Sequence, residues 1–261
     1  MDLGIKGKVA LVLASSRGLG QAMAVALARE GAKVAVTGRN PEGLAQTVAM
    51  VEALGGTALA LNWDLSDLSV IDANLAKIEA TLGPVDILIN NTGGPAPTPA
   101  AGQDPQLWAK SFNDMVLSLI SITDRVLPGM RQRRWGRIIT STTSGAIAPI
   151  KNLAISNTLR ASLLAWSKTL SAEVAGEGVT VNIIMPGRVA TDRLRQLDEA
   201  RAKRENIDYE AVVAASIKLI PAGRYGDPKE YGDTTAFLAS QNASYITGSV
   251  IRVDGGQIQG I

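Results

Sequence analysis

The sequence predicts a doubly wound α/β fold, a Rossmann-type parallel sheet of about seven strands with helices on both faces. Three observations carry that expectation. Short apolar runs alternate with helix-length segments along the whole chain, the runs are apolar on both faces, and the first run enters a glycine-containing turn that opens a helix. Strands that bury both faces belong to a sheet covered on both sides, and parallel neighbours need long crossovers between them.

The candidate strands, in order, are Val9 to Leu13, Lys33 to Thr37, Ala58 to Leu61, Asp86 to Asn90, Arg137 to Ser141, Thr180 to Met185 and Ser249 to Val253. Their β-branched, apolar composition at lengths of four to six residues is that of buried strands. Between them, Leu19 to Glu30, Glu42 to Leu54, Val70 to Leu82, Pro105 to Arg131 and Leu153 to Ala175 carry helical periodicity. One charged helical stretch, Thr191 to Gly223, is inserted before the last helix and strand. Residues 1–261 therefore read as a single domain with one insertion.

Composition removes several chemistries. The chain of 261 residues has no Cys, so disulfides, thiolate nucleophiles and Cys-ligated metals are excluded. It has no His, so proton chemistry falls to hydroxyls, Lys, Arg, carboxylates or water. A formal net charge of +2 is too small to argue for nucleic acid or an anionic membrane. No uncharged apolar run approaches the roughly 20 residues of a membrane helix. The charged start, MDLGIKGK, does not read as a secretion signal, so the cytoplasm is the expected location.

The first strand runs into Ala14-Ser15-Ser16-Arg17-Gly18-Leu19-Gly20. Such a turn aims backbone N–H groups and the positive end of a helix at a pyrophosphate. Ala22, Ala24, Ala26 and Ala28 keep that helix slim. About 20 residues further on, a carboxylate would bind the ribose 2′-hydroxyl of NAD. Gly38 and Arg39 stand there instead, and Arg17 lies in the turn. Two guanidiniums and no acid suit a 2′-phosphate, so the expected cofactor is NADP(H); two solvated surface arginines are the alternative.

These residues, with five further motifs in order, make the chain resemble the short-chain dehydrogenase/reductase family, and within it the 3-oxoacyl-acyl-carrier-protein reductase branch. The turn is similar to the family's TGxxxGxG, with Ala14 for the first glycine; Asn90-Asn91-Thr92-Gly93 is its Asn-Asn-Ala-Gly with Thr for Ala. The resemblance implies that Ala14, Ser16, Arg17, Gly18, Leu19 and Gly20 bind the dinucleotide with Arg39 and the adenine-side pair Asp64-Leu65. It likewise implies roles for Asn91 and Gly93, and for the nicotinamide loop Pro186, Gly187, Val189 and Thr191. Tyr245 to Gly248 and Val253 to Gly256 resemble the closing segment, which implies a homo-oligomer, a tetramer or dimer.

Members of this family reduce ketones with an Asn-Ser-Tyr-Lys set, in which Tyr and Lys lie four residues apart on one helix face. Aligned through Lys168 to Glu173, this chain has Met115 at the Asn position, Thr143 at the Ser, Ser156 at the Tyr and Arg160 at the Lys. Arg160 keeps a positive charge for the ribose and for a developing alkoxide, but it is no proton donor near neutral pH. Thr143 keeps a hydroxyl, Ser156 is a poor general acid, and Met115 removes a polar group. Losing general acid–base help costs typically 10²–10⁴-fold in rate. The stretch Thr191 to Gly223 falls where the family places a substrate lid. Leu194, Leu197, Ile207, Val212, Val213 and Ile217 are expected on its underside, and its cations on a solvated face. Two readings stay open: an NADP(H)-dependent reductase of a small-molecule carbonyl such as a 3-oxoacyl thioester, and a non-catalytic NADP(H)-binding sensor or partner subunit. Scattered arginines give nucleic-acid binding little ground.

Overall fold

The computed structural model describes residues 2–260. Its strands are β1 (Val9–Val12), β2 (Lys33–Gly38), β3 (Ala58–Asn62), β4 (Ile87–Asn90), β5 (Gly136–Ser141), β6 (Val179–Pro186) and β7 (Val250–Val253). Its helices are α1 (Gly18–Arg29), α2 (Pro41–Glu52), α3 (Ile71–Thr81), α4 (Pro105–Phe112), α5 (Ser118–Gln132), α6 (Ala154–Val174), α7 (Asp192–Glu205), α8 (Tyr209–Ile217) and α9 (Pro228–Leu238). The seven strands form one sheet in the order β3-β2-β1-β4-β5-β6-β7, with every neighbouring pair parallel. The strand order reverses between β1 and β4, which opens a crevice at the carboxyl ends of those strands.

Period-two alternation divides the central strands between two cores. On β1, Val9 and Leu11 join Ile78, Leu119 and Leu163 from α3, α5 and α6. Ala10 and Val12 join Met23, Leu44 and Leu238 from α1, α2 and α9 on the opposite face. Each fully buried Leu, Ile or Val is worth about 1.5–3 kcal/mol relative to exposure, so the two layers hold the sheet between them. The small residues of α1 serve the approach of α9: a Cβ on Gly232 would lie 2.5 Å from the Ala22 carbonyl and 3.1 Å from the Ala26 methyl.

Two segments differ from the periodicity. The run predicted as one helix from Pro105 to Arg131 is broken by a π-helical turn, Asn113–Leu117, which separates α4 from α5. An extra residue in the helical ladder is invisible to a 3.6-residue period, and such turns gather at functional sites. In the inserted stretch, Leu194, Leu197, Val213 and Ile217 are half-buried and Val212 is fully buried, as expected. Ile207 is not: it follows Asn206, whose left-handed backbone (φ 52°) ends α7, and is 44% exposed in the connection to α8. No helix among the described residues is long and apolar enough to cross a membrane.

Candidate functional site

The glycine turn is built by local hydrogen bonding. The Ser15 hydroxyl donates to the Val12 carbonyl (2.8 Å) and accepts from the Thr37 amide (2.9 Å), while the Ser15 amide donates to the Thr37 carbonyl (2.7 Å). The ends of β1 and β2 are thereby clamped, and the chain turns outward at Ala14. That residue has a left-handed backbone (φ 47°), as does Gly18 (φ 59°). Gly20 leaves room that no other residue would: a Cβ there would lie 2.8 Å from Ser15 Cα and 2.9 Å from Asn91 Nδ2. The Asn91 amide fills that space by donating to the carbonyls of Leu13 and Ala14, both at 3.2 Å. Ser16 packs against Gly38, and Arg17 caps α1 with an extended backbone and an exposed side chain.

Arg39 and Asp64 meet across the edge of this groove at 3.8 Å. Both are exposed, so the pair is screened and worth little, and Arg39 is free to exchange its partner for a phosphate. Asp64 is otherwise committed to its own turn: the Ser66 amide and hydroxyl both donate to Oδ1, and the amide bond is the main reason its carboxyl sits below the usual range. Leu65 packs beside it on the apolar core.

The other wall comes from the end of β6. The Gly187 amide donates to the Val253 carbonyl (2.9 Å), and a Cβ at Gly187 would lie 2.6 Å from Asp254 Cα. Pro186 ends the strand and Val189 is buried. Thr191 caps α7, its hydroxyl accepting from the Leu194 amide at 3.3 Å. The root of α7 is pinned by Asp198, 1% exposed, which accepts from Arg188 (2.6 Å) and from the Tyr225 hydroxyl (2.7 Å). Tyr225 is therefore a strut of the inserted stretch. Tyr231 is also structural, fully buried between α9 and the sheet on Ser141 and the Ile184 carbonyl.

At the floor of the crevice stands Arg160, 6% exposed. Its Nη1 donates to the Ser141 carbonyl (3.1 Å); its Nη2 reaches the Thr92 carbonyl (3.1 Å), the Thr92 hydroxyl (3.3 Å) and the Gly93 carbonyl (3.2 Å). No carboxylate lies within 4 Å of it among the described residues. Burial lowers its pKa to about 10, which still leaves it cationic at neutral pH. Thr143 is half-buried at the end of β5 and accepts from the Gly145 amide (3.3 Å), so its hydroxyl proton is free to donate elsewhere. Ser156 is half-buried on α6, one turn before Arg160. Met115 is buried inside the π-helical turn, and the neighbouring Asn113 donates to the Ser66 carbonyl (3.1 Å) instead of facing the crevice.

The sequence residues thus converge on one crevice across the β1/β4 switch, with Arg160 below it and Thr191 at its rim. Two features went unread in the sequence. Thr92 supplies Arg160 with a hydroxyl, and Arg193 reaches over the rim from α7 to donate to the Pro95 carbonyl (2.9 Å). The first had a partial signal: Thr92 stands within the Asn90-Asn91-Thr92-Gly93 motif, but nothing local ties it to Arg160, 68 residues away. The second had none, because Arg193 sits among five other lid cations.

Comparison with known proteins agrees with this geometry. Residues 13–257 match a family model described as enoyl-(acyl carrier protein) reductase. The chain is 36% identical to nodulation protein G of Azospirillum brasilense over 250 residues, covering 95% of this chain and 97% of that one. It is equally 36% identical over 256 residues to the 3-oxoacyl-acyl-carrier-protein reductase FabG of Escherichia coli strain K12, covering 97% and 98%. Among solved structures, the L-sorbose reductase of Gluconobacter frateurii, complexed with NADPH and L-sorbose, superposes with a TM-score of 0.93 at 30% identity over the full length of both chains. A full-length sequence match, two relatives at 36% identity and a shared seven-stranded fold make this chain a member of the short-chain dehydrogenase/reductase family, on its 3-oxoacyl-acyl-carrier-protein reductase-like side.

Proposed function

We propose that the protein is an NADPH-dependent reductase of a carbonyl substrate, with Arg160 in the role of the family's lysine and water as the proton source in place of its tyrosine. The observation that carries this reading is the groove itself. Gly20 and Gly187 stand where any Cβ would collide with neighbouring backbone, at Ser15 Cα and Asp254 Cα, so the turn after β1 and the loop after β6 pack closely at the carboxyl ends of the strands. The donor set suits a dinucleotide phosphate: backbone amides at the start of α1, the Thr191 hydroxyl, and the exposed cations Arg17 and Arg39.

NADPH, when bound, supplies the hydride. In this reading Ala14, Ser16, Gly18, Leu19 and Gly20 cradle the pyrophosphate with Thr191. Arg17 and Arg39 hold the 2′-phosphate, and Asp64 with Leu65 borders the adenine. Asn91 and Gly93 line the ribose side above Arg160, while Pro186, Gly187 and Val189 support the nicotinamide end. The Thr143 hydroxyl donates to the substrate oxygen, and Arg160 stabilises negative charge growing on it. Ser156 leaves room for water where a phenol would stand. The exposed Tyr245 and the half-exposed edge strand β7 support association with further copies of the chain.

The test is NADPH consumption with 3-oxoacyl thioesters, diketones and quinones, the thioesters first because the reductase relative from Escherichia coli is named for one. Turnover that disappears in Arg160→Ala supports the reading. Tight NADPH binding with no consumption over hours overturns it and leaves the non-catalytic alternative.

A further inference from the structure

The arginines of the inserted stretch, with Arg188 just before it, divide into two groups. Arg188 is paired with Asp198 (2.6 Å), Arg195 with Glu199 (2.8 Å), Arg201 with Glu205 (3.0 Å) and Arg204 with the same glutamate (3.3 Å). Among the described residues Arg193 has no carboxylate within 4 Å, and its one hydrogen bond goes to a backbone carbonyl, that of Pro95. It also occupies the first turn of α7, the end of a helix where the dipole disfavours a cation.

Its neighbours make the position less favourable still. Burial and the charge of Arg17 both lower the pKa of Arg193; burial lowers that of Arg160, and Arg193 adds to it. Arg193 is itself exposed, and among the described residues neither it nor Arg160 has a carboxylate within 4 Å. Arg160 and Arg193 hold the same short segment from opposite sides. One donates to the Gly93 carbonyl (3.2 Å) and the other to the Pro95 carbonyl (2.9 Å), and a Cβ on Gly94 between them would lie 3.5 Å from Arg193 Nη2. The phosphates of a dinucleotide answer Arg17 and Arg39. They leave Arg193, over the end of the crevice where Arg160 and Thr143 stand, without an anion.

We infer that the substrate bears a carboxylate beside its carbonyl, and that Arg193 binds this group above Arg160, exchanging the Pro95 carbonyl for it. A guanidinium presents a fork that matches a carboxylate bidentately, which a single backbone oxygen cannot satisfy. The substrate class would then be an oxo acid in preference to a neutral thioester. The word substrate rests on the reductase reading above, whereas the anion site does not need turnover.

The experiment titrates the NADPH-loaded protein calorimetrically with 3-hydroxyhexanoate and with its uncharged amide, and compares reduction of 3-oxohexanoate with that of its N-acetylcysteamine thioester. The expected result is that the acid binds about tenfold tighter than the amide, or better. That gap closes in Arg193→Met and is partly kept in Arg193→Lys, while the NADPH Kd of both variants stays within about twofold of the parent. Equal affinity for acid and amide overturns the inference. So does an Arg193→Met variant that weakens NADPH about tenfold yet keeps the gap, because Arg193 then serves the cofactor. If the gap is found but no oxo acid or thioester is reduced, the anion site stands and the reductase reading falls.

Discussion

Arg160 Nη2 lies 3.3 Å from the Thr92 hydroxyl and 3.1 Å from the Thr92 carbonyl, although the two residues stand 68 positions apart in the chain. A lysine ammonium is compact and fits beside alanine. A guanidinium is wider and has more donors to satisfy, and the threonine hydroxyl meets one of them.

A double-mutant cycle tests that coupling. Thr92→Ala removes one acceptor from a buried cation and is expected to cost about 1 kcal/mol, whereas Arg160→Ala strips donors from three carbonyls and is expected to cost about 1–3 kcal/mol. If the residues act as a unit, the double variant loses less than the sum by at least about 0.5 kcal/mol in urea unfolding. Strict additivity would mean that the contact contributes nothing.

Ala14 holds a left-handed backbone that favours glycine. The strain of that conformation for an L-residue is about 1–2 kcal/mol, and glycine returns part of it as unfolded-state entropy. Ala14→Gly is therefore expected to raise stability by about 0.5–1 kcal/mol, read as a higher urea midpoint at unchanged slope. A lower midpoint would contradict the strain.

Gly20→Ala acts on the same turn in the opposite direction. Its methyl would meet Ser15 Cα and the Asn91 amide at under 3 Å, and backbone cannot yield as a side-chain tip can. The expected outcome is at least about a hundredfold loss of NADPH affinity, or about 2.7 kcal/mol, measured by fluorescence titration. An unchanged Kd would place the dinucleotide elsewhere.

Arg39 and Asp64 are exposed partners at 3.8 Å, so Arg39→Ala should leave the melting temperature unchanged. The same substitution should lower the preference for NADPH over NADH by about ten- to a hundredfold, because a charge-assisted contact to the 2′-phosphate is lost and NADH has none to lose. Equal effects on both cofactors would remove Arg39 from that role.

The pH dependence follows from Arg160. Its folded pKa, about 10, lies below the ordinary arginine value because burial disfavours the cation. A lowered value means that the fold gains stability as pH rises above about 10 towards the ordinary arginine range and the buried charge is discharged. Anion binding has the opposite sign, since the proton that attracts it is lost in that interval. Affinity for NADPH should weaken between pH 9 and 10.5 in the parent and weaken less in Arg160→Ala; identical profiles would exclude Arg160 as the group responsible.

Much of the fold was legible in the chain, because the signals are local. All seven predicted strands appear within a residue or so of their expected ends; β1, β4, β5 and β6 are buried on both faces, whereas the edge strands β3 and β7 stay partly exposed. The π-helical turn at Asn113–Leu117 was not legible, since one additional residue in a long amphipathic helix shifts its face without interrupting the apolar pattern. Ile207 was placed on the apolar underside by its type alone. The left-handed Asn206 before it carries the chain out to solvent.

The cofactor half of the site needs glycines, a helix start and two cations in sequence, and residues 14–39 supply them within one strand-turn-helix-strand unit. Ranges of a few residues suffice there because, in the proposed reading, the dinucleotide is held mostly by backbone. The residues proposed for catalysis are brought together from across the sheet. Arg160 on α6 meets Thr92 after β4 and Ser141 at the end of β5, 68 and 19 residues away in the chain, and Arg193 on α7 meets Pro95 at a separation of 98. No pattern in a linear sequence ties such residues together. Their approach is set by the packing of α6 against the sheet and by the Arg188–Asp198–Tyr225 anchor that fixes the root of α7, which is why the charge imbalance of the crevice becomes visible only when the chain is folded.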